Sequence, residues 1–316
     1  MNQILMKGLG YMTIKRQKRI AILFFVSLPV LYIIIFNVIP FMNMIFSSFF
    51  SMNYSQNFGF VGFDNYRELL TTEPFIQALF RSGYYLLGGL LQLFLAVIIA
   101  AILCNKISLK NAYKGALLFP YLINGIAVGF IFKHFYTHGS VLDTLLNIVG
   151  LTNLPYWLRD QNVNNFSLVF VSIWRYIGYY VILIISAMLT IDRTIYEAAT
   201  IDGASKRKQF IHITLPNIFP VIFACAALKL ASALSEFEIP YIVSSMGANN
   251  TSTFLIEIHK VAFKSHRVGL ASAMAVFISV LILILTTLTM GILYYYQSKD
   301  ENGIMKKLII KKRKRK

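Results

Sequence analysis

Charged residues are scarce in this sequence. They make up 14% of 316 positions, whereas a soluble domain of this length carries about a quarter. That shortage excludes an ordinary water-soluble fold. Cysteine is nearly absent as well: Cys104 and Cys225 stand alone in apolar stretches, so no disulfide framework is expected and both read as small packing residues. No phosphate-binding glycine loop followed by Lys and Ser or Thr occurs, which excludes ATP capture by this chain in the usual way. His134 and His138 stand four apart, yet no carboxylate or thiol completes a metal site with them. No nucleophile–base pair is legible either. The chain is therefore expected to be no enzyme and to hold no metal or cofactor of its own.

Apolar length is what the sequence has in quantity, with 57% of its residues hydrophobic. A spanning helix needs roughly 20 apolar residues, and six stretches qualify: about 20–46, 82–104, 112–134, 166–190, 217–235 and 269–296. The first follows Lys15, Arg16, Lys18 and Arg19 like a signal peptide, but it runs on without a small-residue cleavage pattern, so an uncleaved span is expected. The net charge of +17 sits in short clusters between spans, which makes it a topology signal before it is a nucleic-acid signal; no nucleic-acid partner is expected. Lys106, Lys110, Lys114, Arg193, Lys206, Arg207, Lys208 and the tail Lys311–Lys316 would share one side with both termini. By the positive-inside rule that side is cytoplasmic. The opposite loops offset Arg67, Arg159, Lys260, Lys264 and Arg267 with Asp64, Glu68, Glu73, Asp143, Asp160 and Glu257. Residues 1–19 then form a cytoplasmic segment, 20–298 an all-α, six-span membrane domain, and 299–316 a basic cytoplasmic tail anchored against membrane lipid. Short helical stretches are expected outside the spans at Asn65–Leu70 and Val141–Leu151.

Between the fourth and fifth spans the chain leaves lipid for residues 191–216. Thr194 and Glu197 are spaced as a capping box that would start a helix. Gly203 is placed to end it in a left-handed conformation, Lys206 to Ile213 can form a second helix, and Pro216 and Pro220 suit the first turn of the next span. Ala198 and Ala199 leave a smooth surface, with Tyr196, Ile201 and Phe210 as apolar anchors for another protein. A short rigid unit of this kind can transmit rigid-body movement.

Glu197-Ala198-Ala199, Asp202-Gly203-Ala204 and Ile213-Thr214-Leu215-Pro216 together resemble the EAA loop of permease subunits of type I ABC importers. Trp174 to Gly178, Ala187 to Ile191, Val61 to Tyr66, Thr251 to Leu255 and Gly269 to Ala273 are similar to the carbohydrate-uptake branch. Ser244 to Asn250 departs from it, where relatives carry a glycine-rich run ending in proline. The resemblance implies the six-helix permease fold of that family in a bacterial cell membrane, with Tyr196, Glu197, Ala198, Ala199, Asp202, Gly203, Ala204, Leu215 and Pro216 coupling to an ATPase. It also implies a second, similar permease subunit, two cytoplasmic nucleotide-binding subunits that hold ATP and Mg, and an extracytoplasmic solute-binding protein. That protein would be a surface lipoprotein if the host has one membrane.

Polar groups within the spans carry two open readings. Asn124, Trp174, Arg175, Tyr179 and Glu236 could line a path for a sugar, whose ring faces suit aromatics and whose hydroxyls suit amides and charges. Alternatively Arg175 and Glu236 snorkel to the interface, the aromatics form its belt, and Lys229 pairs with another subunit. An ion-gradient-driven secondary transporter or channel is the rival function. It predicts acidic relays or broken helices in symmetry-related halves, which the sequence does not display.

Overall fold

The computed structural model describes residues 14–54, 56–104 and 110–313. Residues 1–13, Lys106 and the last three residues of the basic tail lie outside the described residues. The chain opens with α1 (Ile14–Ile33), a π-helical turn (Ile34–Val38) and α2 (Ile39–Ser47), which together form the first apolar rod. No residue of its most apolar window is buried by the rest of the chain, while the end of the rod, around Met44 and Ile45, is partly covered by packing against the last helix. Two short antiparallel strands follow, β1 (Phe50–Met52) and β2 (Asn57–Phe60), with Phe50 opposite Phe60. This hairpin is the one departure from an all-α expectation among the described residues. Next come α3 (Asp64–Thr71), which covers the expected Asn65–Leu70 stretch, and α4 (Glu73–Leu103), which begins nine residues before the expected span.

The third expected span is not continuous. It consists of α5 (Lys110–Leu122) and α6 (Gly125–Phe135), bent by 93° between them. Asn124 makes the break: its backbone leaves the helical region and its side-chain carbonyl accepts the Ile126 N–H at 2.9 Å. An asparagine that caps a new helix satisfies an otherwise orphaned donor, and in lipid every such donor must be satisfied. Average hydropathy over 112–134 hides this single residue.

After α7 (Val141–Ile148), where the second amphipathic stretch was expected, α8 (Asn164–Leu189) runs through the middle of the molecule; 56% of its apolar window is buried, the largest share of any span. It packs on α4, α5 and α11 (Leu215–Leu234). The α5–α8 crossing is close because Gly178 lies directly beneath the Leu117 carbonyl; small residues permit such approach where lipid supplies no hydrophobic drive between helices. The last elements are α12 (Glu238–Val243), α13 (Phe254–His259), a π-helical turn (Lys260–Lys264) and α14 (Val268–Arg313). Cys225 is buried between α4, α8 and α11, as a packing residue should be, but Cys104 is exposed at the end of α4.

At the end of the bundle where α8 begins, Asp143 organises the connection between α6 and α8. It accepts the Gly139 N–H and the Trp157 Nε1–H, each at 2.7 Å, and lies 3.1 Å from His138 Nδ1. A carboxylate therefore does stand beside His138, as part of a loop clasp; among the described residues no three metal-binding side chains gather. The Gly139 amide, then the Trp157 indole, hold the Asp143 carboxyl below the usual carboxylate range. A depressed folded-state pKa contributes stability that is present above the unfolded value of about 4 and is lost as pH falls through the folded value. Melting temperature in lipid nanodiscs should thus fall more steeply for the wild type than for Asp143→Asn as pH drops from about 5 to about 2.5. Parallel pH profiles would contradict this.

Candidate functional site

The loop between the fourth and fifth spans begins with α9 (Arg193–Ile201). Its cap is Asp192 and not the expected Thr194, since the Asp192 carboxylate accepts the Thr194 N–H at 3.0 Å. Two competing acceptors two residues apart obscured the start, and Glu197 is left exposed on the helix surface. The end of α9 forms as expected. Gly203 adopts φ +76°, its N–H donates to Thr200 O at 3.1 Å, and the Ala204 N–H donates to Ala199 O at 2.9 Å. This pair of bonds is the Schellman pattern, which satisfies the last carbonyls of a helix.

The second half differs from the expected helix at Lys206–Ile213. Here α10 (Lys206–Gln209), capped by Ser205, passes through a π-helical turn (Phe210–Thr214) straight into α11. The π turn closes with the Leu215 N–H donating to Phe210 O, just ahead of Pro216, which has no N–H to donate. The same arrangement precedes Pro40 in the first span, where the Ile39 N–H reaches Ile34 O. The fifth span is thereby extended rigidly into the loop. Phe210 is correspondingly not an anchor for a partner: it packs inward against the cluster containing Leu93, Ile184 and Ile218, as does Leu215. Ile201 is the outstanding exposed apolar group, 87% accessible at the tip of α9.

Two side-chain bridges that sequence pattern did not single out hold the loop together. Gln209, buried beneath the turn, donates through Nε2 to Thr200 Oγ1 at 2.9 Å and to Ala204 O at 3.1 Å. Tyr196 Oη and Thr214 Oγ1 are hydrogen-bonded at 2.8 Å, joining α9 to the base of α11. Tyr196, Glu197, Ala198, Ala199, Asp202, Gly203 and Ala204 thus lie on one braced unit, with Pro216 exposed at its base. Each bridging bond contributes about 1 kcal/mol, so Gln209→Ala should raise amide hydrogen exchange at Gly203 and Ala204 about tenfold or more. Unchanged protection there would mean that Gln209 does not brace the turn.

Of the polar residues expected within the spans, Arg175, Lys229 and Glu236 gather around Tyr176, and the structure brings Glu238 to them. Arg175 Nη1 donates to Glu238 Oε2 at 2.6 Å across α8 and α12. The Arg175 guanidinium lies 5.1 Å, and Lys229 Nζ 5.3 Å, from the Tyr176 ring centre. Glu236 is buried with Lys229 as its electrostatic partner. Two cations and two carboxylates from one chain therefore gather in one place, with Arg175 and Glu238 as the direct ion pair. Trp174 packs edge-on against Phe132 at 5.1 Å between ring centres, within an apolar cluster, and Tyr179 stacks on Tyr121 at 5.0 Å. Asn124 caps α6 and keeps an exposed surface.

Residues 11–299 match the family described as "Binding-protein-dependent transport system inner membrane component". The chain belongs to this family. It is thus a permease component of an ABC importer, and its apolar helices make it a multi-pass membrane protein. The permease is 32% identical over 295 residues to "Probable ABC transporter permease protein YurN" of Bacillus subtilis (strain 168), covering 91% of this chain and 100% of that one. It is 30% identical over 268 residues to the "Multiple sugar-binding transport system permease protein MsmF" of Streptococcus mutans, covering 84% and 92%. A crystal structure of a bacterial ABC transporter involved in import of the acidic polysaccharide alginate superimposes with a TM-score of 0.77 at 22% identity, over 88% of this permease and 96% of that chain. That likeness speaks for the fold.

Proposed function

We propose that this chain is the membrane-spanning subunit that moves a carbohydrate through an ATP-driven importer. The braced α9 loop is the observation that carries the coupling part. Its exposed Ala198 and Ile201 offer a rigid apolar surface, and its second half is one continuous rod with the fifth span, so a push on the loop moves a span. Relatives named for sugar transport, MsmF among them, support a carbohydrate cargo. Tyr196, Glu197, Ala198, Ala199, Asp202, Gly203 and Ala204 form the docking face, and Leu215 and Pro216 transmit its movement to α11.

The partners are a second, similar permease, two cytoplasmic subunits that bind ATP and Mg and hydrolyse the nucleotide, and an extracytoplasmic binding protein that delivers the sugar. Both termini and residues 191–216 face the cytoplasm, following the basic clusters on that side. Closure of the ATPase pair around ATP brings the two coupling loops together and turns the permease pair outward, driven by tighter ATP binding to that state. The cluster of Arg175, Lys229, Glu236 and Glu238, with Trp174, Tyr179 and Asn124 nearby in the fold, borders the path. The test is reconstitution of all subunits in proteoliposomes. Saccharide with binding protein should stimulate ATP hydrolysis and accumulate inside; accumulation that persists without the ATPase subunits would instead favour a gradient-driven carrier.

A further inference from the structure

A cavity of about 350 Å³ opens at the end of the bundle where α8 begins, between the outer turn of α6, residues 156–159 and the loop after α12. It is at the small end of the range for ligand sites, about 300–1,000 Å³, and suits one or two sugar rings. Its lining includes Lys133, Tyr156, Trp157, Arg159, Ser245 and Asn249, and contains no Asp or Glu. Among the described residues neither Lys133 nor Arg159 forms an ion pair. Lys133 Nζ donates to Ser245 Oγ at 3.0 Å across the cavity, and Asn249 Nδ2 donates to Leu158 O at 3.1 Å, leaving the side-chain Oδ1 of Asn249 to accept from a hydroxyl. Trp157 is fixed by its bond to Asp143, and Tyr156 is 53% exposed. Aromatic surface, amide and two uncompensated cations are what a carboxylated sugar requires.

The wall of this cavity is preformed in an unusual backbone. Ser245, Met246, Gly247, Asn249 and Asn250 all have φ between +51° and +73°, the left-handed region that Gly and Asn tolerate and that Ser245 and Met246 occupy at a cost. Asn164 and Asn165 hold it there by donating to the carbonyls of Asn249 and Asn250 at 2.6 and 3.3 Å.

We propose that this cavity is an external saccharide subsite selective for a sugar bearing a carboxylate, with Lys133 and Arg159 binding the acid group. It rests on the carbohydrate-import function, and it names a substrate class: acidic saccharides are gathered at the mouth before the charged cluster admits them. The test uses the complete importer in lipid nanodiscs, without binding protein, titrated calorimetrically with digalacturonate and with uncharged galactobiose. Digalacturonate should bind at least about tenfold more tightly and weaken about tenfold between low and high salt (about 0.05 and 0.5 M). Lys133→Gln with Arg159→Gln should abolish that preference, and Lys133→Arg with Arg159→Lys should restore it.

Equal binding of the two sugars, or full binding by the double glutamine variant, overturns the proposal. So does a variant that keeps digalacturonate but loses affinity for the binding protein, because the cavity would then be a protein-docking surface. The salt titration needs no substitution and reads the charge contribution directly. If neutral saccharides stimulate ATPase activity in the full system while the variant behaves as wild type, this subsite fails alone; if no saccharide of either class stimulates it, carbohydrate import fails with it.

Discussion

Gly178→Ala should leave almost no correctly assembled permease. A Cβ at this position would meet the carbonyl oxygen and carbon of Leu117 and the amide nitrogen of Leu118. These are backbone atoms of α5, so no side chain can rotate aside. Relief requires α5 and α8 to separate, and dispersion contacts along their crossing are what hold them together in lipid. Overpacking in a soluble core costs about 1–3 kcal/mol; a backbone collision at the central helix belongs at or above the top of that range. Gly115→Ala is the matched control, since on the same α5 helix nothing lies within 4 Å of its Cβ position. Monodisperse protein recovered from membranes should drop about tenfold or more for Gly178→Ala and stay near wild type for Gly115→Ala. Equal recovery of both would show that the crossing can open without penalty.

Gly203→Val should produce the opposite phenotype, with normal insertion and lost transport. No atom lies within 4 Å of a Cβ at Gly203, so sterics between elements are not the obstacle. The obstacle is φ +76°, a left-handed conformation that costs an ordinary residue about 1–2 kcal/mol and a β-branched one more. Valine therefore undoes the paired bonds from Gly203 and Ala204 back to Thr200 and Ala199, and α9 loses its set angle to α10. Under the proposed coupling, ATP-driven uptake should fall about tenfold or more while membrane levels hold. Gly203→Asn, which tolerates the left-handed region, should retain much of it. Full uptake by the valine variant would rule out a lever built on this cap.

The contrast between these two glycines marks how far the sequence could be read. Gly203 was legible because helix termination is local: an alanine-rich turn, a glycine at its end and a polar residue beyond it describe the cap without knowledge of any other segment. Gly178 was not, because its role depends on Leu117, sixty-one positions away along the chain. The start of α9 shows an intermediate case. Asp192 and Thr194 are both good caps within two residues, and only the path of the chain leaving α8 decides between them.

Composition alone determined that this protein lives in lipid, and the run of apolar stretches with basic clusters between them determined its organisation into spans, because hydrocarbon length and charge exclusion act on each segment separately. The Glu197–Pro216 stretch likewise determined a protruding two-part loop and the family. Tertiary structure decided the rest. Asn124 breaks the third span, Phe210 turns inward, Gln209 reaches across the loop to Thr200, and Arg175 finds Glu238 sixty-three positions later. The Phe210, Gln209 and Arg175 contacts depend on a packing surface or acceptor that another element supplies, and periodicity in sequence carries no record of which group folding brings near; Asn124 acts locally, through the Ile126 N–H, and is hidden only because hydropathy is averaged over the span.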